Sequence, residues 1–443
     1  MKTLSKLLFK QVDNSALVVF RIFFGFLITA EAWGAIATGW VKRAFVDPEV
    51  TFNFIGFEFL QVFVGQYMYL HFFLMGIAGI FVMLGYRYRL GIIWYFIFWC
   101  IAYFAQKSNY NNHYYLLVLL LGFMALTPAN RYASLDVKRR PELKKISMPQ
   151  WCSYLLILQM WIVYTYGSIA KLYPDWLNAH VIDVMMQAKK HYWLIGDLLQ
   201  QNFMHYFLAY GGILFDGLVI PLLLYKPTRC ITFFAAIFFH LFNSIVFQIG
   251  IFPYMSLALC LFFFEAKTIR NIFLKKKPLY EGDEIVMPKN SNIWLGFAAI
   301  YFLLQIGLPL RHHFIQDNVL WTEEGHRLSW RMMLRSKSGT MVYKIINKAD
   351  NKQLPFKFGD YLTKKQRRHL ATHPDAIWQF AQFLKAEYAK QDIDVAIYAN
   401  CSVSVNQRPY KKFIDPQVDL TTVQWNPFRH SDWILPSDLG PIK

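Results

Sequence analysis

Apolar and polar positions fall in long blocks along the first 310 residues. Nearly unbroken hydrophobic runs occupy about 15 to 37, 66 to 85, 90 to 105, 114 to 127, 151 to 170, 204 to 225, 231 to 249, 251 to 265 and 292 to 310. Several approach or exceed the roughly 18 residues that a helix needs to cross a bilayer core. A further stretch, 52 to 64, carries Glu58 among aromatic residues and predicts a helix lying in the membrane interface. Beyond Pro309 the pattern changes. Residues 340 to 347 and 395 to 405 alternate apolar and polar side chains with the period of a strand. Between them, 374 to 390 places Ile377, Phe380, Ala381, Leu384 and Tyr388 on one helical face. The expected fold is a polytopic α-helical membrane protein. Its about nine spanning helices lie within residues 1–310, followed by an extramembrane mixed domain, 311–443, with a β-sheet core.

Composition agrees with that pattern. Of 443 residues, 56% are hydrophobic and 17% charged, against roughly 25% charged in a soluble globule. The net charge of +18 would suggest nucleic acid if it formed one patch. Instead, the basic residues are scattered among short loops, which makes the excess topological and removes nucleic acid as a partner. Lys2, Lys6 and Lys10, then Arg87 and Arg89, then Arg131 with Lys138 to Lys145, then Lys226 and Arg229, then Lys267 to Lys277, fall in alternate loops. The intervening loops are poorer in basic residues, with Lys42, Arg43, Lys107, Lys171, Lys189 and Lys190. This bias predicts a cytoplasmic N-terminus and an external C-terminal domain. The short, nearly continuous segments 231 to 249 and 251 to 265 are the weakest part of the count. The run after Lys10 has no small-residue cleavage site behind it and reads as a retained first span. Five cysteines without CxxC spacing read as small hydrophobes.

Four polar clusters interrupt the apolar pattern: Asn109 to His113, Gly167 to Lys171, His240 to Ser244, and Arg311 to Arg335. The charge alternation puts all four at the outer membrane face, and intramembrane polar groups usually line a cavity or meet a partner. Each cluster also has a plain reading. Lys171, taken alone, is a lysine snorkelling to the interface. Asn112 and His113 cap a helix, His240 and Asn243 bond between helices, Met332 and Met333 pack, and Glu323 and Glu324 are solvated. His312 and His313 are adjacent and no HExxH spacing occurs, so no metal is expected.

NNHYYL at Asn111 to Leu116, IVYTYGSIAKLYPDWL at Ile162 to Leu177 and FFHLFNSIVFQIGIFPYMSL at Phe238 to Leu257 resemble the vitamin K-dependent γ-glutamyl carboxylases and their bacterial homologues. LSWRMMLRSKSG at Leu328 to Gly339 and FIDPQVDLTTVQWNPF at Phe413 to Phe428 extend the resemblance across most of the chain, in order. Such enzymes oxidise vitamin K hydroquinone to its epoxide with O2. The strong base formed in that reaction removes a γ-proton from glutamate, and the carbanion captures CO2.

The resemblance implies that Lys171 is the base acting on the hydroquinone, or on a menaquinol in its place. An ordinary lysine is protonated at neutral pH, and apolar surroundings disfavour the cation. By the same resemblance His113 and Asn112 assist it, and Asn243, His240, Phe252 and Tyr166 line the hydroquinone pocket, with the isoprenoid tail among the apolar spans. Trp330, Met332 and Met333 lie where the outer domain covers the site and a glutamate-containing peptide enters. Water must be excluded there, because the carbanion would otherwise be reprotonated. Pro253 stands where the family usually has a small polar residue. The animal enzymes also continue past the stretch matching Trp425 to Trp433, whereas this chain stops at Lys443. Epoxidation is therefore a firmer expectation than processive carboxylation. The alternatives are a hydroquinone epoxidase without carboxylation, and a non-catalytic quinone or lipid binding or transport protein. The partners expected are membrane lipid and a glutamyl peptide, and the expected location is a bacterial inner membrane with the outer domain in the periplasm.

Overall fold

The computed structural model describes residues 2–439. Each predicted apolar block folds as a helix. Among the described residues, seven helices are long and apolar enough to cross a membrane: α1 (Ser15–Ala37), α2 (Tyr67–Leu84), α3 (Tyr88–Ala105), α5 (Trp151–Ile169), α6 (Asn202–Leu224), α7 (Arg229–Val246) and α9 (Ser291–Leu310). Two more, α4 (Asn112–Leu126) and α8 (Phe252–Leu259, continued by a 3-10 turn at Cys260–Phe263), are shorter. Fifteen residues rise only about 22 Å, less than the roughly 30 Å hydrocarbon core. Among the described residues, seven helices therefore reach spanning length, and length alone does not bring the count to the nine expected. The stretch 52 to 64 is also not the interfacial helix predicted. It forms a 3-10 turn at Glu58–Phe63, bracketed by Gly56 and Gly65 at left-handed φ of 90° and 105°, which a continuing helix cannot contain.

The connections sort onto two ends of the bundle, as the charge pattern predicts. At one end, β1 (Gln11–Asp13) pairs antiparallel with β2 (Ser147–Pro149). Lys10 reaches Asp283 at 2.5 Å and Lys277 reaches Asp13 at 2.7 Å. The Asp136 carboxylate there accepts the backbone N–H groups of Arg87 and Tyr88. Arg21, buried within α1, is turned to the same end and donates to the carbonyls of Ala129, Tyr132 and Ala133. Those contacts gather the basic loops on one face.

The other end carries the polar C-terminal region. Its sheet is four-stranded, in the order β4-β3-β5-β6, with β3 (Lys337–Asn347) and β5 (Val395–Val405) paired antiparallel from Lys337↔Val405 to Asn347↔Val395, and β4 (Gln353–Leu354) and β6 (Lys411–Lys412) at the edges. The predicted strands and helix all form, the helix as α10 (Pro374–Ala389). Ile377, Phe380, Ala381 and Leu384 of α10 are buried against the sheet, and Tyr343 of β3 donates its hydroxyl to the Ile377 carbonyl at 2.5 Å.

Several polar contacts fix this region to the helices. Lys107, after α3, meets Asp375 at the start of α10 at 2.6 Å, and Arg327 binds the same carboxylate at 2.6 Å. Arg408 holds Asp175 at 2.6 Å, and Gln366 donates to the Val50 carbonyl. Lys107, counted among the loop charges in the sequence, is thus buried in an ion pair. Burial tends to raise the Asp375 carboxyl, but Arg327 and Lys107 outweigh it and hold the group well below the usual carboxylate range.

Candidate functional site

Helix α5 ends ahead of Pro174, which cannot continue it and instead opens a short helix at Pro174–Leu177. The residue before a proline is driven to extended backbone, and Tyr173 has φ −142° and ψ 158°. Lys171 sits in the closing turn, its N–H bonded to the Ser168 carbonyl. That turn aims the side chain back across the bundle at Asp216 of α6, and the two form an ion pair with side chains only 10% and 7% exposed. The ammonium also lies 5.5 Å from the centroid of the Trp176 ring. Lys171 is therefore not a snorkelling anchor, because its charge is turned inward to a carboxylate.

A space kept open at Gly167 allows this arrangement. A Cβ there would stand 3.3 Å from Asp216 Oδ2 and 3.3 Å from Met332 Cε. Met332, from the loop after α9, thus packs at the same Gly167 position that Asp216 borders.

A second group adjoins the first. His113, on the first turn of α4, stacks on Phe252 of α8 with ring centroids 4.2 Å apart and planes 23° apart. His240 of α7 meets the same ring edge-on at 5.9 Å, and its Nε2 bonds the Tyr164 hydroxyl at 2.8 Å. The Nδ1 of His240 is buried without a hydrogen-bond partner among the described residues. Phe215 joins the two groups. It packs edge-on to Tyr164 and His240 and immediately precedes Asp216. Below His240 an apolar cavity opens between α5, α6, α7 and α8, lined by Met160, Val219, Ala236 and Phe263 among others.

Residues 9–267 match the family model described as HTTM domain, and residues 290–439 match the model described as vitamin K-dependent gamma-carboxylase, lumenal domain. The chain belongs to the vitamin K-dependent gamma-carboxylase family. No solved structure matches it. Membership in this carboxylase family and the apolar helices together make it a membrane protein of carboxylase type.

The remaining predicted residues of this gamma-carboxylase family member are dispersed around that centre. The cap of α4 is Asn111, which accepts the Tyr114 N–H at 2.8 Å, and not Asn112 or His113. The Asn112 amide is held on both sides, receiving the Tyr110 hydroxyl and donating to the Arg331 carbonyl, each at 2.8 Å. It thereby ties the loop after α9 to the start of α4. Trp330 is buried and stacks on Tyr115 at 4.8 Å, and Met333 is 39% exposed. Tyr166 faces the other way, its hydroxyl donating to the Ile306 carbonyl of α9. Asn243 is half-buried on α7 and is not part of the cavity lining.

Glu323 and Glu324 are not solvated. Both are buried, Glu323 binding Arg335 bidentately and Lys337 at 3.3 Å, and Glu324 binding His430 at 2.7 Å. The sequence reading also overlooked Asp216 and Glu31. Glu31 is an acid of α1 that accepts the Tyr114 hydroxyl at 2.9 Å. Each is a lone carboxylate in an apolar run, and that alone marks an intramembrane functional candidate. Among the described residues no group of three or more His, Cys, Asp or Glu side chains is placed to hold a metal.

Proposed function

We propose that the protein is an integral membrane enzyme that oxygenates a vitamin K or menaquinone hydroquinone, consuming O2, and uses that reaction to add CO2 to glutamate side chains of a peptide. The observation that carries this reading is the buried Lys171–Asp216 pair beside the His113–Phe252 stack. The residues suit an aromatic diol. Phe252 and His113 offer flat ring faces, and the orphaned Nδ1 of His240 suits a hydroxyl or ring oxygen.

The hydroquinone supplies the reducing electrons and, on oxygenation, the strong base. The protein's part is to move a proton and exclude water. Asp216 holds the Lys171 side chain in place, and the lysine nitrogen is the group that takes the proton of the substrate hydroxyl. His113 and His240 hold the ring oxygens, and Asn112 positions the covering loop. Met332, Trp330 and Trp176 keep water from the reacting carbanion. We place nine helix crossings in residues 1–310, with the basic loops and the N-terminus in the cytoplasm. Residues 311–443 form an extracytoplasmic domain, periplasmic if the membrane is a bacterial inner membrane.

Two measurements on purified protein test this. Lys171→Ala is expected to abolish epoxide formation from added vitamin K hydroquinone while the protein still inserts, and normal epoxidation by that variant overturns the reading. Asp216→Asn is expected to lower the rate by about 10²–10⁴, the range for a lost acid–base partner, with unchanged hydroquinone binding. Incorporation of labelled CO2 into a glutamyl peptide distinguishes the coupled carboxylase from an epoxidase that stops at the quinone.

A further inference from the structure

The loop that crosses the site, Leu328 to Met333, is built with unusual backbone. Leu328, Trp330 and Met333 all have left-handed φ, at 61°, 56° and 53°. Such conformations cost bulky residues on the order of 1 kcal/mol or more each, and they gather where a particular presentation of side chains is required. The loop is pinned at three places. The Tyr110 hydroxyl receives the Leu328 N–H at 2.7 Å, Trp330 stacks on Tyr115, and Asn112 holds the Arg331 carbonyl. What it presents at its centre is Arg331.

Arg331 is only 5% exposed. Its Nη1 lies 3.3 Å from His312 Nε2, whereas Nε and Nη2 are buried with no hydrogen-bond partner among the described residues. Burial, and secondarily the nearby Arg335, pull its guanidinium down to about 10. The neighbouring buried cations have carboxylates. Lys171 has Asp216, Lys107 and Arg327 share Asp375, and Arg335 and Lys337 share Glu323. Arg21, which has none, is compensated by three carbonyls. Arg331 has neither, and an uncompensated buried charge costs several kcal/mol.

The free edge also has a definite shape. Nε and Nη2 together form the side of the guanidinium that grips a carboxylate with two parallel bonds. Four residues on, Arg335 uses that same edge, Nε and Nη2, to hold Glu323. Glu323 is the carboxylate that Arg331 senses, but both of its oxygens are taken. Meanwhile Met332, the next residue, packs at the Gly167 position that Asp216 also borders, so the loop carrying Arg331 runs beside the lysine centre.

From these observations we infer that Arg331 is the substrate clamp, binding the side-chain carboxylate of an incoming glutamyl peptide through its free Nε/Nη2 edge. The inference rests on the carboxylase reading for the identity of the ligand, and it is tested without catalysis. The full-length protein in detergent is titrated, with no quinone present, with an N-acetylated, C-amidated peptide containing one glutamate, with its glutamine counterpart, and with bicarbonate as competitor.

The parent protein is expected to bind the glutamate peptide at least about 10-fold more tightly than the glutamine peptide, as a charge-assisted bond requires. Arg331→Met is expected to lose that preference without a fall in Tm, because it removes an uncompensated charge. Arg331→Lys, which keeps the charge but lacks the fork, is expected to retain only part of it. Equal binding of both peptides by the parent, an unchanged preference in Arg331→Met, or a lowered Tm with equal loss for both peptides overturns the clamp. Displacement of the peptide by bicarbonate at comparable concentration overturns the glutamyl assignment in favour of the smaller anion. A parent that binds the glutamate peptide selectively but neither oxygenates quinol nor fixes CO2 overturns the catalytic reading and leaves the clamp standing.

Discussion

Lys171 shows how one side chain changes meaning with its surroundings. A lysine closing a hydrophobic helix is ordinarily an interfacial anchor, and only the convergence of polar clusters on one face and the resemblance of its motif spoke otherwise in the sequence. The physical reason is Asp216, 45 residues away, which turns the ammonium inward. Gly167 is the residue that permits the approach, and it gives a sharp test. Gly167→Val adds a branched side chain where even a Cβ would stand 3.3 Å from both Asp216 and Met332. It is expected to separate the loop from the ion pair and to cut quinol oxygenation by at least tenfold, at an overpacking cost of about 1–3 kcal/mol in stability. A variant with parental activity would show that the close approach of Met332 to the pair is dispensable.

At the scale of elements, the outer end of the bundle is joined to the sheet through a few buried charges. The start of α10 contributes Asp375, the turn after α3 contributes Lys107, and the loop before β3 contributes Arg327, so one carboxylate serves two cations from different parts of the chain. Asp375→Asn leaves both cations buried and uncompensated. It is expected to destabilise the docking of α10 by about 3–5 kcal/mol. Limited proteolysis, read as faster cleavage between residues 311 and 443 with the helical bundle intact, checks this. The same elements show what periodicity could and could not reveal. The strands at 340 to 347 and 395 to 405 and the helix at 374 to 390 were legible because each buries one regular face. The interfacial helix at 52 to 64 was not, since the apolar content was right but glycines at both ends left too few residues to propagate a helix.

For the whole molecule, two consequences follow from where charge is buried. Burial tends to raise the Glu323 carboxyl, but Arg335 and Lys337 overcome that and hold it at about 2, below its ordinary 4.5. Asp375 is lowered in the same sense. A carboxylate depressed in the folded state contributes stability that is complete above its unfolded value and lost as pH falls through the folded one. The Tm is therefore expected to be insensitive to these groups from pH 7 down to about 4.5 and to fall between there and about pH 2. Glu323→Gln is expected to show a smaller acid-dependent loss, and a parental acid profile in that variant would refute the assignment. The second consequence is topological. Arg140, beside the basic loops, and Gln407, in the sheet region, lie at opposite ends of the bundle. Cysteines introduced at the two positions are expected to be labelled by an impermeant thiol reagent from opposite sides of the membrane. Labelling of both from one side would contradict the arrangement.

Hydrophobic blocks, their lengths and the alternation of basic loops were enough to predict a helical membrane protein with a polar, sheet-containing C-terminal region, because burial in lipid and charge sidedness act locally on the chain. The motifs around Lys171, His113, Asn243 and Trp330 pointed to the family, which the matches over residues 9–267 and 290–439 bear out. Which of the polar residues meet was decided only in three dimensions. The pairing of Lys171 with Asp216, the stacking of His113 on Phe252, the turning away of Tyr166 and the isolation of Arg331 all depend on contacts between segments far apart in sequence. A lone carboxylate or guanidinium carries no periodicity. Its role is set by whether folding delivers it a counter-charge, and Asp216 receives one while Arg331 does not.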